Sequence, residues 1–262
     1  VGVASQIARG LQHEGLSAQD ACDRIFLIDS KGLVLDDRKG LEPYKKKFAK
    51  PRAMIASWKI QNSIPTLEET ARHAKVTTLL GLSGQRAAFN ETTVKAVAAN
   101  TPTPIVFALS NPTANSEAVP ADILAWTGGR AIVATGSPFP DVEFQGTRYP
   151  VGQGNNAFIF PGLGLGVLLS GARKVSDGML LAASMALAEY TDPGRLAQGA
   201  VYPRIERIRG ASRHVACAVI TQAHKEGAAT KPKPDDLPAF IDRHMWHPVF
   251  LPIRRPPWKA QP

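Results

Sequence analysis

The apolar residues at the start of the chain follow helical spacing and then form a short run of strand length. Val1–Leu11 carries apolar residues at the spacing of one helix face, and Ala18–Arg24 is long enough for a further turn or two. Ile25–Ile28 is a continuous apolar run ending at Asp29, the pattern of a buried parallel strand. A polar, lysine-rich stretch follows over residues 30–59. The first residues show no signal-peptide pattern, so we expect the chain to begin inside a longer protein.

Between residues 66 and 138 the pattern alternates regularly between strand-length and helix-length segments. The predicted strands are Val76–Leu82, Pro104–Leu109 and Ala131–Thr135. The predicted helices are Thr66–Ala74, with a capping box to Glu69, Asn90–Ala99, capped by Asn90, and Pro120–Trp126, with proline near its first turn. This order predicts an α/β fold with a doubly wound parallel sheet, Rossmann-like in type. Ligands of such sheets bind where the strands end, so the loops of interest begin at Asp29, Ser83, Ser110 and Gly136.

The remaining third of the chain has a different pattern. Residues 143–150 suggest a small hairpin around Gly146, and three helices are predicted over 162–173, 177–190 and about 203–225. The segment from residue 230 is proline-rich, contains Trp246 and Trp258, and is expected to be irregular. We therefore divide the chain into one domain, 1–229, and a tail, 230–262, that packs on the domain or on a partner subunit.

Composition narrows the classes of protein to which the chain can belong. Its 262 residues are 44% hydrophobic and 20% charged, as in soluble globular proteins, and no apolar stretch is long enough to span a membrane. Two cysteines cannot form a disulfide framework or a structural zinc site, which favours a reducing, cytoplasmic setting. The net charge is +9, but most basic residues are scattered and lack interleaved aromatic residues, so nucleic-acid binding is not favoured. A positive charge would instead help to attract small anionic ligands.

Nucleotide binding has one candidate residue and one misleading motif. Asp29 ends the first apolar run, where an acid can accept hydrogen bonds from a ribose, although Asp-Ser-Lys-Gly is equally good turn chemistry. The phosphate-binding pattern G-x-G-x-x-G is missing. Gly162, Gly164 and Gly166 approach it, but their spacing is wrong and they run into an apolar helix. We interpret these glycines as sites of close helix packing.

The residues indicate no nucleophile or metal site, but they do include conspicuous asparagines. Ser83-Gly84-Gln85 is not a nucleophile elbow, and the six histidines have no convincing metal or triad spacing. Asn155 and Asn156 lie between a glycine-rich turn and an apolar run, where carboxamides can approach a ligand closely. Asn111 follows a strand and raises the same question. The alternatives are a helix cap for the pair and an Asx-turn for Asn111.

Five motifs, in this order, resemble the NAD(P)-binding domain of malic enzymes, and the resemblance runs from Val1 to about Gly227. The matching stretches are Phe26–Leu33, Gly81–Gln85, Pro104–Thr113, Gly129–Phe139 and Gln153–Gly162. It implies oxidative decarboxylation of malate to pyruvate and CO2, with reduction of NAD or NADP and with a divalent metal, Mg or Mn. It also implies a homo-oligomer.

The resemblance also suggests roles for individual residues. Asn111 and Asn156 would contact the substrate. The expected cofactor-binding residues are Asp29, Ser30, Arg38, Lys45, Ser83, Gly84, Asn111 and Asn155. Asp29 by itself favours NAD, because a carboxylate repels a 2′-phosphate, but Ser30, Arg38 and the lysines from Lys45 can neutralise that phosphate. On balance NADP is preferred.

The chain also departs from the family pattern. The family's phosphate-binding glycines, metal-binding acids, catalytic lysine and catalytic tyrosine all lie upstream of Val1, so no residue here is assigned as catalytic or metal-binding. We therefore expect this chain to be the nucleotide-binding half of a malic enzyme, inactive as a fragment. The alternative is a stand-alone, non-catalytic nucleotide-binding or regulatory module.

Overall fold

A computed structural model describes residues 1–248 and residue 250. The strands are β1 (Ile28–Asp29), β2 (Gly32–Leu33), β3 (Thr78–Gly81), β4 (Ile105–Ala108), β5 (Ile132–Thr135), β6 (Val142–Phe144), β7 (Thr147–Tyr149) and β8 (Gly152–Gln153). The α-helices are α1 (Gly2–His13), α2 (Ala18–Asp23), α3 (Pro43–Lys46), α4 (Leu67–His73), α5 (Glu91–Ala98), α6 (Pro120–Thr127), α7 (Phe160–Ser170), α8 (Asp177–Glu189), α9 (Pro193–Ala197), α10 (Ile208–Lys225) and α11 (Leu237–His244). Across the described residues, no helix is both long enough and apolar enough to cross a membrane.

The centre of the fold is a parallel sheet of four strands in the order β3-β4-β5-β8. The predicted α/β architecture with a parallel sheet is therefore confirmed. Leu79, Val106 and Val133 of the sheet pack in one buried cluster with residues of α5 and α6. Removing such side chains from water contributes roughly 1.5–3 kcal/mol each. This core holds the strands in register, and so fixes where each strand ends.

Local capping signals place the helices of this layer where the sequence predicts them. Thr66 accepts a hydrogen bond from Glu69 N, and the Glu69 side chain accepts one from Thr66 N, so the capping box is complete. The Asn90 side chain caps α5, and Pro120 lies in the first turn of α6. The predicted hairpin is also confirmed, with Gly146 in the left-handed conformation that its turn requires.

The prediction of a parallel strand over Ile25–Ile28 is wrong. Within the described residues only Ile28 and Asp29 form a strand there, and it pairs antiparallel with Gly32 and Leu33. The Asp29 carboxylate accepts a hydrogen bond from Lys31 N, and Gly32 has a φ of 94°. This turn reverses the chain, so the next extended segment returns beside β1 in the opposite direction.

A helical layer follows the sheet, and its packing depends on two glycines. A Cβ atom on Gly162 would lie 2.5 Å from the Ser212 carbonyl oxygen, and one on Gly166 would lie 2.7 Å from Cβ of Val219. Gly162 and Gly166 let α7 pack directly against α10, which confirms their interpretation as packing positions. For Gly164 that interpretation is wrong, because a Cβ atom there would meet nothing within 4 Å. All three glycines lie inside α7 and not in a strand-to-helix turn, which is the position of a phosphate-binding glycine motif.

The tail is more regular than expected. Leu237 and Ile241 of α11 are buried against Ala216 and Ile220 of α10, so part of the proline-rich segment folds onto the preceding helix. The sequence pattern missed this helix because it has only eight residues and lies in a proline-rich segment, although Pro238 is in its first turn, where a helix accepts proline. Trp258 lies outside the described residues. The division into 1–229 and 230–262 stays a prediction.

Candidate functional site

The ends of the four parallel strands form one edge of the sheet. Gly81 pairs in register with Ala108, Ala108 with Thr135, and Thr135 with Gln153. The residues that follow each strand therefore emerge side by side at this edge, which is where parallel sheets bind ligands. The candidates brought together here are Ser83, Gly84, Asn111, Asn155 and Asn156. Asp29, Ser30, Arg38 and Lys45 belong instead to the segment around the β1-β2 hairpin.

The loops after β3 and β4 are joined by hydrogen bonds. The Gly84 N–H donates to the Ser110 hydroxyl over 2.8 Å. Ser83 N and Ser83 Oγ both donate to Oε1 of Glu117, which is fully buried, over 2.9 and 3.0 Å. The backbone of Ser83 and Gly84 is therefore held in place from inside the protein, while both residues are exposed on the other side.

Asn111 is joined to the loop after β5. Its Oδ1 accepts a hydrogen bond from the Ser137 hydroxyl over 2.6 Å, and its peptide bond to Pro112 is cis. Gly136 allows this approach, because a Cβ atom there would lie 2.1 Å from the Leu109 carbonyl oxygen. Ser137 occupies one of the two acceptor positions of the Asn111 oxygen, while the two N–H donors of the exposed carboxamide remain available to a ligand.

Asn155 and Asn156 follow β8, a strand too short for sequence periodicity to reveal. The Asn155 side chain accepts a hydrogen bond from Ala157 N over 2.9 Å and caps the short 3-10 helix Asn156–Phe158. The capping alternative is therefore confirmed for Asn155. Asn156 is exposed, so its carboxamide faces solvent at the same edge of the sheet.

Asp29 is surrounded by cations. Nη2 of Arg38 lies 2.8 Å from each of its carboxylate oxygens, and Nζ of Lys45 lies 3.1 Å from Oδ2. Burial raises the pKa of Asp29, but hydrogen bonds from Arg38, Lys31 N and Lys45 outweigh it and lower the pKa below its ordinary value. Ser30 is exposed beside this group. Three of the predicted residues are thus a single charged cluster.

The basic run near Lys45 is largely compensated by carboxylates or by the fold. Lys45 also pairs with Glu42, and Arg52 pairs with Asp37. Lys50 is buried, donates to the carbonyl oxygens of Cys22 and Asp23 at the end of α2, and lies over the Phe26 ring. Burial lowers the pKa of the Lys50 amine. Its contacts with the two carbonyl oxygens indicate a structural role, so Lys50 does not belong to a basic surface patch.

The described residues do not fit a metal ion. Over residues 1–248 and 250, no group of three or more His, Cys, Asp or Glu side chains could hold one. We therefore assign no chemical step to a metal on these residues.

Sequence reasoning missed Glu117 and the hydroxyl of Ser110. Glu117 is the only acidic residue between Glu91 and Asp122, and apolar residues follow it at once. This pattern is only a weak indication of a functional residue, since an isolated glutamate before a helix is normally exposed to solvent.

Known proteins similar to this chain are malic enzymes. Residues 1–224 match the family described as "Malic enzyme, NAD binding domain". The NAD-dependent malic enzyme of Edwardsiella ictaluri is 41% identical over 254 residues, and that of Shewanella frigidimarina is 42% identical over 254 residues. Each alignment covers 97% of this chain and 45% of the relative. The chain therefore spans somewhat less than half the length of these relatives.

Solved structures agree. The malic enzyme of Entamoeba histolytica, whose crystal structure is known, has 25% sequence identity to this chain. The two structures align with a TM-score of 0.63 over 84% of this chain and 41% of that one. The malic enzyme of Pyrococcus horikoshii, at 22% identity and a TM-score of 0.59 over 81% of this chain and 42% of that one, shares the fold. By its sequence, its parallel sheet and these relatives, the chain belongs to the malic enzyme family, of which it is an NAD-binding domain.

Proposed function

We propose that this chain is the nicotinamide-dinucleotide-binding part of an enzyme that oxidatively decarboxylates malate to pyruvate and CO2. The observation that supports this most is the common sheet edge, where Ser83–Gly84, Asn111 and Asn155–Asn156 follow strands in register. Backbone amides and carboxamides at such an edge can form hydrogen bonds with the carboxamide group of a nicotinamide and with a dicarboxylate substrate.

In this proposal, the residues of this chain bind and orient malate and the cofactor. Asn111 and Asn156 donate carboxamide N–H groups toward malate, and the bond from Ser137 to Asn111 Oδ1 sets the orientation of the first carboxamide. Ser83 and Gly84 lie against the cofactor, and Asn155 shapes the turn beside it. The chemistry that a bound nicotinamide supplies is acceptance of a hydride from C2 of malate. Proton transfer and any metal, Mg or Mn, belong to residues outside this chain.

For the cofactor we propose a preference for NADP over NAD. Asp29 already pairs with Arg38 and Lys45, so its charge opposes a 2′-phosphate less than a free carboxylate would. Nη1 of Arg38 is buried and has no hydrogen-bond partner among the described residues, so a donor is left over at this position, and Ser30 is exposed nearby. The names of the relatives point the other way, toward NAD. Calorimetric titration of the protein with each cofactor tests this preference. Tighter binding of NAD+ than of NADP+ would overturn it.

The activity is tested on the polypeptide as its source makes it. We expect a native chain of roughly twice this length that reduces NAD+ or NADP+ only when malate and Mg or Mn are present. A native mass near 28.1 kDa with no malate-dependent reduction would contradict the enzyme proposal. In that case, cofactor binding without turnover would favour a stand-alone nucleotide-binding or regulatory module.

The assembly and setting are part of the same proposal. Phe160, Leu168 and Trp246 are 62%, 71% and 77% exposed, an unusual share for large apolar side chains, and we expect a homo-oligomer to cover part of them. Light scattering on the native protein measures this, and a monomer contradicts it. Cys22 and Cys217 are unpaired thiols, in keeping with a reducing cytoplasm.

A further inference from the structure

Glu117 is a buried carboxylate that has no role in the proposed function. It lies just before α6, and its relative exposure is 0%. No cation among residues 1–248 and 250 lies within salt-bridge distance of it. Burying a charge without a cation is costly unless hydrogen bonds replace the lost water. Its hydrogen bonds therefore indicate its role.

Within the described part of the chain, the other residues that donate hydrogen bonds to this carboxylate lie in the loops after β3 and β4. Oε1 accepts from Ser83 N, from Ser83 Oγ, and from Ser110 Oγ over 2.5 Å, while Oε2 accepts from Ser110 N over 3.3 Å. Because the Ser110 hydroxyl donates to Glu117, its oxygen is free to accept from Gly84 N. One carboxylate thus fixes both loops and the hydroxyl that joins them.

The hydrogen bonds favour an ionised side chain. Two backbone N–H groups and two serine hydroxyls donate to the carboxylate, and a carboxylate with no proton of its own can accept from all four. Burial raises the pKa of Glu117, but the hydrogen bonds from Ser110 and Ser83 outweigh this effect and lower it below the ordinary value. The charge is therefore retained at neutral pH.

The last residue of β3 provides the space. A Cβ atom on Gly81 would lie 2.5 Å from Cδ of Glu117 and 2.6 Å from its Oε2. Real Cβ contacts are not that short, so only glycine lets the carboxylate lie against the strand end. The glycine at position 81 and the glutamate at position 117, which are far apart in the sequence, therefore depend on each other in the structure.

We propose that Glu117 is a positioning residue that holds Ser83–Gly84 and Ser110–Asn111 in the arrangement that binds the cofactor. The cofactor class rests on the proposed function. Glu117 touches no ligand itself. It acts through the backbone amides that it orders, and Asn111 is set by its neighbour Ser110.

The decisive variant is Glu117→Gln in the native polypeptide, compared with Val97→Ala as a control. Val97 is buried in the same core but far along α5 from these loops, so its truncation lowers stability without touching them. We expect Glu117→Gln to raise the Kd of NADP+ at least about tenfold, because charge-assisted hydrogen bonds are lost. Val97→Ala should leave that Kd unchanged. Equal losses in both variants would overturn the proposal.

Amide hydrogen exchange gives a readout that needs no cofactor. In Glu117→Gln the amides of Ser83 and Ser110 should exchange about tenfold faster or more, while that of Val106 within β4 keeps its rate. Unchanged rates at Ser83 and Ser110 would contradict the proposal. If the wild type binds neither NAD+ nor NADP+, the proposed function fails, and this measurement still decides the role of Glu117.

A milder variant covers the case in which Glu117→Gln does not fold. Ser110→Ala keeps the carboxylate and removes only the hydroxyl that joins it to Gly84. We expect faster exchange at Gly84 and a several-fold weaker affinity for NADP+. Exchange at Gly84 equal to that of the wild type would overturn the proposal independently.

Discussion

Nη2 of Arg38 lies 2.8 Å from each carboxylate oxygen of Asp29, a residue nine positions earlier in the chain. The two side chains are only partly exposed, at 13% for Arg38 and 23% for Asp29. The carboxylate expected to receive a ribose is therefore already bound by a cation. Under the proposed function this ion pair influences the choice of cofactor, and variants of it can be tested separately from variants at the sheet edge.

Replacing Arg38 should change the ratio of the two cofactor affinities. In Arg38→Gln the Asp29 carboxylate keeps one of its two cations, Lys45, so it repels a 2′-phosphate more strongly. We expect the NADP+ affinity to fall about tenfold more than the NAD+ affinity, as for loss of one hydrogen bond to a charged group. Lys95→Gln, which removes an exposed cation on α5, is the control and should leave the ratio unchanged. An equal loss for both cofactors in Arg38→Gln contradicts the proposed preference.

The same ion pair should contribute to stability at neutral pH and lose that contribution in acid. The pKa of Asp29 is lowered in the folded chain, so the unfolded chain binds more protons as the pH falls. Its contribution is complete above the ordinary pKa of an aspartate and disappears as the pH falls through the lowered value. Free energies of unfolding, measured by urea titration over this range, should depend less on pH in Asp29→Asn.

Asp235→Asn is the control for that comparison. Asp235 is exposed and forms no ion pair among the described residues. Its replacement should leave the acid-side slope close to that of the wild type. Parallel slopes for Asp29→Asn and the wild type would show that the ion pair does not contribute.

The glycines of α7 should respond differently to the same substitution. Gly162→Ala places a methyl group 2.5 Å from the Ser212 carbonyl oxygen and should lower the free energy of unfolding by about 1–3 kcal/mol. Gly164→Ala meets nothing within 4 Å and should stabilise the helix by up to about 1 kcal/mol. Urea denaturation of the two variants measures this difference. The packing interpretation would not survive equal effects.

The capping box should make Thr66 more important than an ordinary exposed threonine. Thr66→Ala removes the acceptor for Glu69 N and should cost about 1 kcal/mol of unfolding free energy. Thr92 lies exposed inside α5, so Thr92→Ala should be neutral or slightly stabilising. A midpoint shift in urea that is the same for both variants would argue against the cap.

Short-range patterns account for the elements that were predicted correctly. Caps at Thr66 and Asn90 act over three residues, and the strands around Val106 and Val133 are apolar runs bounded by turns. Such signals can be read without knowing the neighbours in space. Where a turn intervened, as at Asp29–Gly32, the apolar run before it was misread as a parallel strand. Where a strand has two residues, as Gly152–Gln153, no periodicity exists to read.

By itself, the sequence determined the alternating strands and helices between residues 66 and 138, the parallel architecture and the family, because each rests on local periodicity or on contiguous motifs. Only the tertiary structure decided the contacts of the site. Ser83 and Glu117 are 34 positions apart, and Asp29 and Lys45 are 16 apart. Hydrogen bonds and ion pairs act over a few ångströms in space, whatever the separation along the chain. Packing of the sheet and its helices brings those groups together, and no local pattern records it.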